Sequence, residues 1–118
     1  MWRSDSHDST DDPGIRVLIW SPEAGNAILP DRAMQELEAI VAKDPGRQWI
    51  LDVAAILFLS SNSIAQLIGV VRRVSLANGR IALARPPSAV ATVLKMTRLT
   101  KLLPMFDDIA AARAFFRS

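Results

Sequence analysis

The sequence predicts an α/β layer, and three observations carry that reading. Apolar runs with the composition of buried strands recur along the chain, amphipathic stretches of about ten residues separate them, and turn residues mark most junctions. Parallel strands need covalent bridges of about that length, and such bridges cross over with a right hand.

The first 14 residues, "MWRSDSHDSTDDPG", are rich in Ser and Asp and end in Pro13-Gly14, so they read as a disordered polar tail. The domain proper is expected over 15–118. In "IRVLIW" (15–20), Val17 and Ile19 fall on one face and Leu18 and Trp20 on the other, as in a strand covered on both sides. "AILP" (27–30) reads as a second strand or extended arm. Asp31 is a good N-cap for a helix in which Met34, Leu37, Ile40 and Val41 recur at helical spacing. That helix ends before the turn "KDPGR" (43–47).

"QWILDV" (48–53) reads as the central strand, with "ILFL" (56–59) as its extension. A helix is expected over 64–76, with Ile64, Leu67, Ile68, Val71 and Val74 as its buried stripe and Gln66, Arg72 and Arg73 outside it. Asn78-Gly79 suits the helix end, with Gly in the left-handed position. "RIALA" (80–84) is a further strand and "SAVATVLKMTRL" (88–99) a helix with Val90, Val93, Leu94 and Met96 inward. "LLPMF" (102–106) reads as an edge strand tolerant of Pro104. Asp107 or Asp108 then caps a final helix anchored by Ile109, Ala112, Phe115 and Phe116.

Composition narrows the function. Half of the 118 residues are hydrophobic and 22% are charged, as in a globular domain with a packed core. The pI of 9.7 looks basic, but a net charge of +2 does not mark a nucleic-acid binder. The chain has no Cys and one His, His7, which excludes thiolate metal sites and gives no basis for His-dependent catalysis. The longest apolar run, Trp49–Leu59, is interrupted by Asp52 and falls short of the roughly 20 residues of a membrane helix. The start lacks an apolar signal segment, so a cytoplasmic protein is expected.

There is no Walker-type loop, dinucleotide fingerprint or Gly-x-Ser-x-Gly elbow. No enzymatic activity and no cofactor are expected. Two features remain. Asp52 is an acidic residue inside an apolar strand, a place that calls for a hydrogen-bonded partner or a function. Ser60-Ser61-Asn62-Ser63 then interrupts the apolar run. Ser63 fits the cap of the following helix, with Gln66 reaching back, which leaves Ser61 on an exposed strand-to-helix turn. One hydroxyl suffices to cap a helix, and this run has several.

Leu51-Asp52-Val53, the hydrophobic run into Phe58-Leu59-Ser60-Ser61-Asn62-Ser63-Ile64-Ala65, Gly69, the Arg72-Arg73 pair, the Gly79 turn and "SAVATVLKMTRLTKLLPMFDDIAAA" together resemble a STAS domain, the module of bacterial anti-sigma factor antagonists and of sulphate transporter tails. The resemblance spans about residues 15–117. It implies a single domain with a mixed, mostly parallel sheet of 4–5 strands and about four helices mainly on one side. It also implies a non-enzymatic regulator, whose partner is an anti-sigma factor that is also a serine kinase. The phosphoacceptor carried over from the family motif is Ser61, and the partner-binding loop and helix comprise Ser60, Ser61, Asn62, Ser63, Gln66 and Arg73, with Asp52 adjacent. Ser60 stands where the antagonists carry Asp, Ser63 and Ala65 where they carry Gly, and Arg98 where Gly is usual. Arg98 joins Lys95 and Lys101 in a basic cluster at a helix end. The alternative role is a STAS subunit docked constitutively on the ATPase of a membrane transport complex. A carrier of hydrophobic ligands is a third class, suggested only by apolar content.

Overall fold

The computed structural model describes residues 1–4, 14–22 and 31–117. Its elements are β1 (Trp2–Ser4), β2 (Ile15–Trp20), α1 (Asp31–Ala42), β3 (Gln48–Asp52), α2 (Ser61–Leu76), β4 (Arg80–Ala84), α3 (Ser88–Met96), a 3-10 turn (Leu99–Lys101), β5 (Met105–Phe106) and α4 (Ile109–Arg117). The strand expected at 27–30, the side chain of Asp31 and the tail residues 5–13, His7 among them, lie outside the described residues.

The five strands form one sheet in the order β1-β2-β3-β4-β5. β1 runs antiparallel to β2, and the other neighbours are parallel. This is the mixed, mostly parallel sheet expected. The register aligns Ile15, Gln48 and Arg80 at one end of the sheet and Asp52 with Ala84 at the other.

Alternation along β2 sorts its side chains as expected. Leu18 and Trp20 join Leu51 and Leu83 beneath Leu37 and Val41 of α1, Leu67, Val70, Val71 and Val74 of α2, and Val90 and Leu94 of α3. Ile15 and Val17 join Ile50, Ala82 and Ala84 on the opposite face, where Ala112 and Phe116 of α4 close over them. Three helices thus cover one face and one helix the other. Alanine in β4 leaves room for the α4 side chains. Among the described residues no helix is long and apolar enough to cross a membrane.

Several local expectations need correction. Residues 2–4 belong to a strand, not to a polar tail: Trp2 is buried against Trp20, edge to face at 5.3 Å, and its Nε1 donates to the Ala33 carbonyl at 2.9 Å. A three-residue strand has no detectable period, so only tertiary contact reveals it. "ILFL" does not continue β3, because the chain turns after Asp52, with the Ile56 amide donating to the Val53 carbonyl, and Phe58 alone keeps an isolated β-bridge. α3 stops at Met96, which is exposed, because Arg98 turns left-handed at φ 60° and starts the 3-10 turn. β5 consequently keeps only Met105 and Phe106.

The end of α2 is a Schellman motif. Gly79 N–H donates to the Val74 carbonyl and Asn78 N–H to that of Ser75. Asn78, not Gly79, is the left-handed residue, at φ 64°. Gly79 is required for close approach instead: a Cβ there would lie 2.3 Å from the Pro45 carbonyl oxygen and 2.6 Å from that of Arg47.

Candidate functional site: the start of helix α2

β3 and β4 end side by side, and Asp52 ties their ends together. Its side chain is 2% exposed. Oδ1 accepts from the Ala54 amide at 3.1 Å, while Oδ2 accepts from Arg85 Nε at 3.0 Å and lies 2.9 Å from a terminal guanidinium nitrogen of the same residue. The charge on both partners makes these contacts stronger than neutral hydrogen bonds. Arg85 reaches it from a left-handed backbone, φ 56°, with its amide donating to the Phe106 carbonyl. Asp52 therefore shapes the loop that follows from below. Arg85 was not singled out in the sequence, although a carboxylate in an apolar strand calls for a cation. The signal available was the arginine at the end of the neighbouring strand.

Beyond Val53 the loop is pinned by Ile56 and Leu59, both buried, and it presents Leu57 and Phe58 outward, 55% and 57% exposed. These two are a further pair that periodicity missed, because a hydrophobic run gives no sign of which members face solvent. Ser60 then caps α2 in extended conformation, φ −72° and ψ 162°. Its Oγ accepts from the Ser63 amide at 3.0 Å and donates to Ser63 Oγ at 3.0 Å, while its carbonyl accepts from the Ile64 amide at 2.9 Å.

The helix thus begins three residues earlier than expected, and the cap is Ser60 rather than Ser63. Ser63 is fully buried, its hydroxyl turned back on the cap. Gln66 does not reach back, and its Oε1 is buried without a hydrogen-bond partner among the described residues. Ser61 and Asn62 occupy the first and second helical positions and are exposed. Among the described residues the Ser61 hydroxyl makes no hydrogen bond.

Farther along α2, Arg73 is exposed and pairs with Glu38 of α1 at 3.3 Å. It lies more than two turns from the serines, as does its solvent-exposed neighbour Arg72. Such a half-exposed pair contributes between nothing and about 1 kcal/mol. Ser60, Ser61, Asn62 and Ser63 therefore follow Leu57 and Phe58 directly along the chain, while Arg73 belongs to the α1–α2 seam.

A family model for the STAS domain matches residues 30–112, from just before α1 into α4. The chain belongs to the STAS domain family. Solved structures that share this fold include three of particular interest. A Thermotoga maritima protein aligns at TM-score 0.75 and 22% identity over 100% of this chain and 96% of its own. An anti-sigma-factor antagonist (STAS) domain protein from Planctomyces limnophilus gives 0.75 and 18%, over 99% and 98%. The Bacillus cell fate determinant SpoIIAA, solved in its phosphorylated form, gives 0.69 and 14%, over 98% and 99%. No curated protein matches the sequence. In this STAS domain the serine run spans the end of the loop between β3 and α2 and the first turn of α2.

Proposed function

We propose that this STAS domain is a non-enzymatic, cytoplasmic regulator that docks a protein partner of the anti-sigma factor and serine kinase type through the loop 57–63 and the exposed side of α2, and that phosphorylation of Ser61 controls the docking. The observation that carries the reading is the division of labour at the helix start. Ser60 caps α2, Ser63 is buried beneath it, and Ser61 stands exposed with a hydroxyl that the fold does not use. A kinase can reach it without unfolding anything.

The physics of the switch follows from that position. A phosphate adds about −1.5 to −2 charges. At the first turn of a helix it meets the positive end of the dipole and unpaired N–H groups, so the folded domain tolerates it. Beside Leu57 and Phe58 the same charge would have to be stripped of water if a partner covered the apolar pair, and docking fails. Phosphate thus weakens the complex while leaving the fold intact. A relative with the same fold, SpoIIAA, is known in a phosphorylated form.

The test uses wild type, Ser61→Ala and Ser61→Asp as baits in extract of the native cells, followed by titration of the captured protein in pure form. The reading predicts a kinase-fold partner that binds wild type and Ser61→Ala alike and Ser61→Asp about 100-fold more weakly, equal to about 2.7 kcal/mol. Equal affinity for all three contradicts control at Ser61 and favours constitutive docking.

A further inference from the structure

Charge is segregated along this chain. No Asp or Glu occurs between Asp52 and Asp107, whereas Arg and Lys continue through that stretch. Arg73 and Arg85 find carboxylates outside it, in Glu38 and Asp52. Arg80 and Lys101 do not: among the described residues neither forms an ion pair. Both line a single cleft of about 210 Å³. It opens where β4 begins and α2 ends, so the length of a 16-residue helix, about 24 Å, separates it from Ser61.

The cleft has two kinds of wall. Ile81, Leu102, Pro104 and Phe115 make it apolar, and Arg80 and Lys101 make it cationic. Arg80 is held in place: its guanidinium lies 4.7 Å from the ring centroid of Phe115 and 5.0 Å from that of Phe116. A cation–π contact draws on the charge of the guanidinium and does not consume its N–H donors as conventional hydrogen bonds. A half-buried guanidinium packed on two rings, with no ion-pair partner among the described residues, is suited to a planar or tetrahedral oxyanion. Lys101, which is exposed, adds a second charge to the same cleft. Packing on aromatic rings alone accounts for the position of Arg80, but it does not account for a second cation, also without an ion-pair partner among the described residues, in the same cleft.

We propose that this cleft binds a small organic anion, a carboxylate or phosphate ester on an aromatic or aliphatic body, with the anionic head at Arg80 and Lys101 and the body on Leu102, Pro104 and Phe115. The site is independent of the docking loop, so its failure would leave that reading untouched.

The test is a heteronuclear NMR titration of the full chain with phenyl phosphate and with benzoate, taking acetate as a head group without a body. Saturable shifts are expected in the Arg80 Nε–Hε signal and in the amides of Ile81 and Lys101, for at least one aromatic probe. Acetate should bind about tenfold more weakly, and so should phenyl phosphate to Lys101→Gln, whose side chain is exposed and whose spectrum elsewhere should stay native. Arg80→Lys, keeping charge but losing the planar fork, should weaken binding too. Shifts that do not saturate, that spread equally to Arg72 and Arg98, or that persist unchanged in Lys101→Gln would overturn the proposal.

Discussion

Helices α2 and α4 start with the same chemistry and then diverge. α4 is capped by Asp108, whose Oδ1 accepts from the Ala111 amide at 2.7 Å, and Ala110, Ala111 and Ala114, the best helix formers, share its exposed side with Phe115 and Arg117. α2 is capped by Ser60 in the equivalent way, but it follows the cap with exposed Ser61 and Asn62, buried Ser63 and, two turns on, exposed Gly69. A Cβ at Gly69 would meet nothing within 4 Å, so the fold does not need glycine there. α4 is built for stability, whereas α2 gives some up on the side the proposed partner would cover. The difference supports placing the proposed docking surface on α2, whose composition the fold alone does not explain.

Changing these residues sharpens the comparison. The largest expected effect belongs to Ser61→Asp, which gives α2 an acidic first turn: partner affinity falls about 100-fold, while the melting temperature holds or rises, since an acid at a helix start stabilises by about 0.3–1 kcal/mol. If binding and stability fell together, the loss would be structural and the contrast with α4 would collapse. Next, Ser60→Ala should destabilise by about 1–2 kcal/mol in chemical denaturation, more than the ~1 kcal/mol expected for Asp108→Ala. The excess arises because Ser60 also satisfies the buried Ser63 hydroxyl, and equal costs would show that Ser63 does not depend on the cap. Gly69→Ala should stabilise the free domain by about 0.5–1 kcal/mol and weaken the complex, a pairing that a merely tolerated glycine would not give. Ser61→Ala, the smallest, should change stability by less than about 0.5 kcal/mol, because its hydroxyl caps nothing.

The frame of this fold was legible in the sequence because its strands are fully covered. "IRVLIW", "QWILD" and "RIALA" carry apolar side chains to both faces, and the helices between them keep a clear period. The helix starts and stops were less legible. Ser60, Ser61, Asn62 and Ser63 are almost equally good caps, and the choice among them is made by packing, which buries Ser63 and so moves the cap to Ser60. Asn78 and Gly79 pose the same ambiguity, resolved by the carbonyls of Pro45 and Arg47 from a distant turn. Arg98 takes a left-handed backbone, φ 60°, a conformation that glycine adopts more readily. Asp52 was visible as an anomaly, but its partner Arg85 was not, since strand register rather than sequence spacing brings them together.

The most direct measurement is phosphopeptide mass spectrometry over residues 48–72 of the protein taken from its own cells, in growth and in stress. The account predicts phosphate on Ser61, with an occupancy that changes between the two conditions, and none on the buried Ser63. Complete coverage with no phosphate on Ser61 in either state would contradict it.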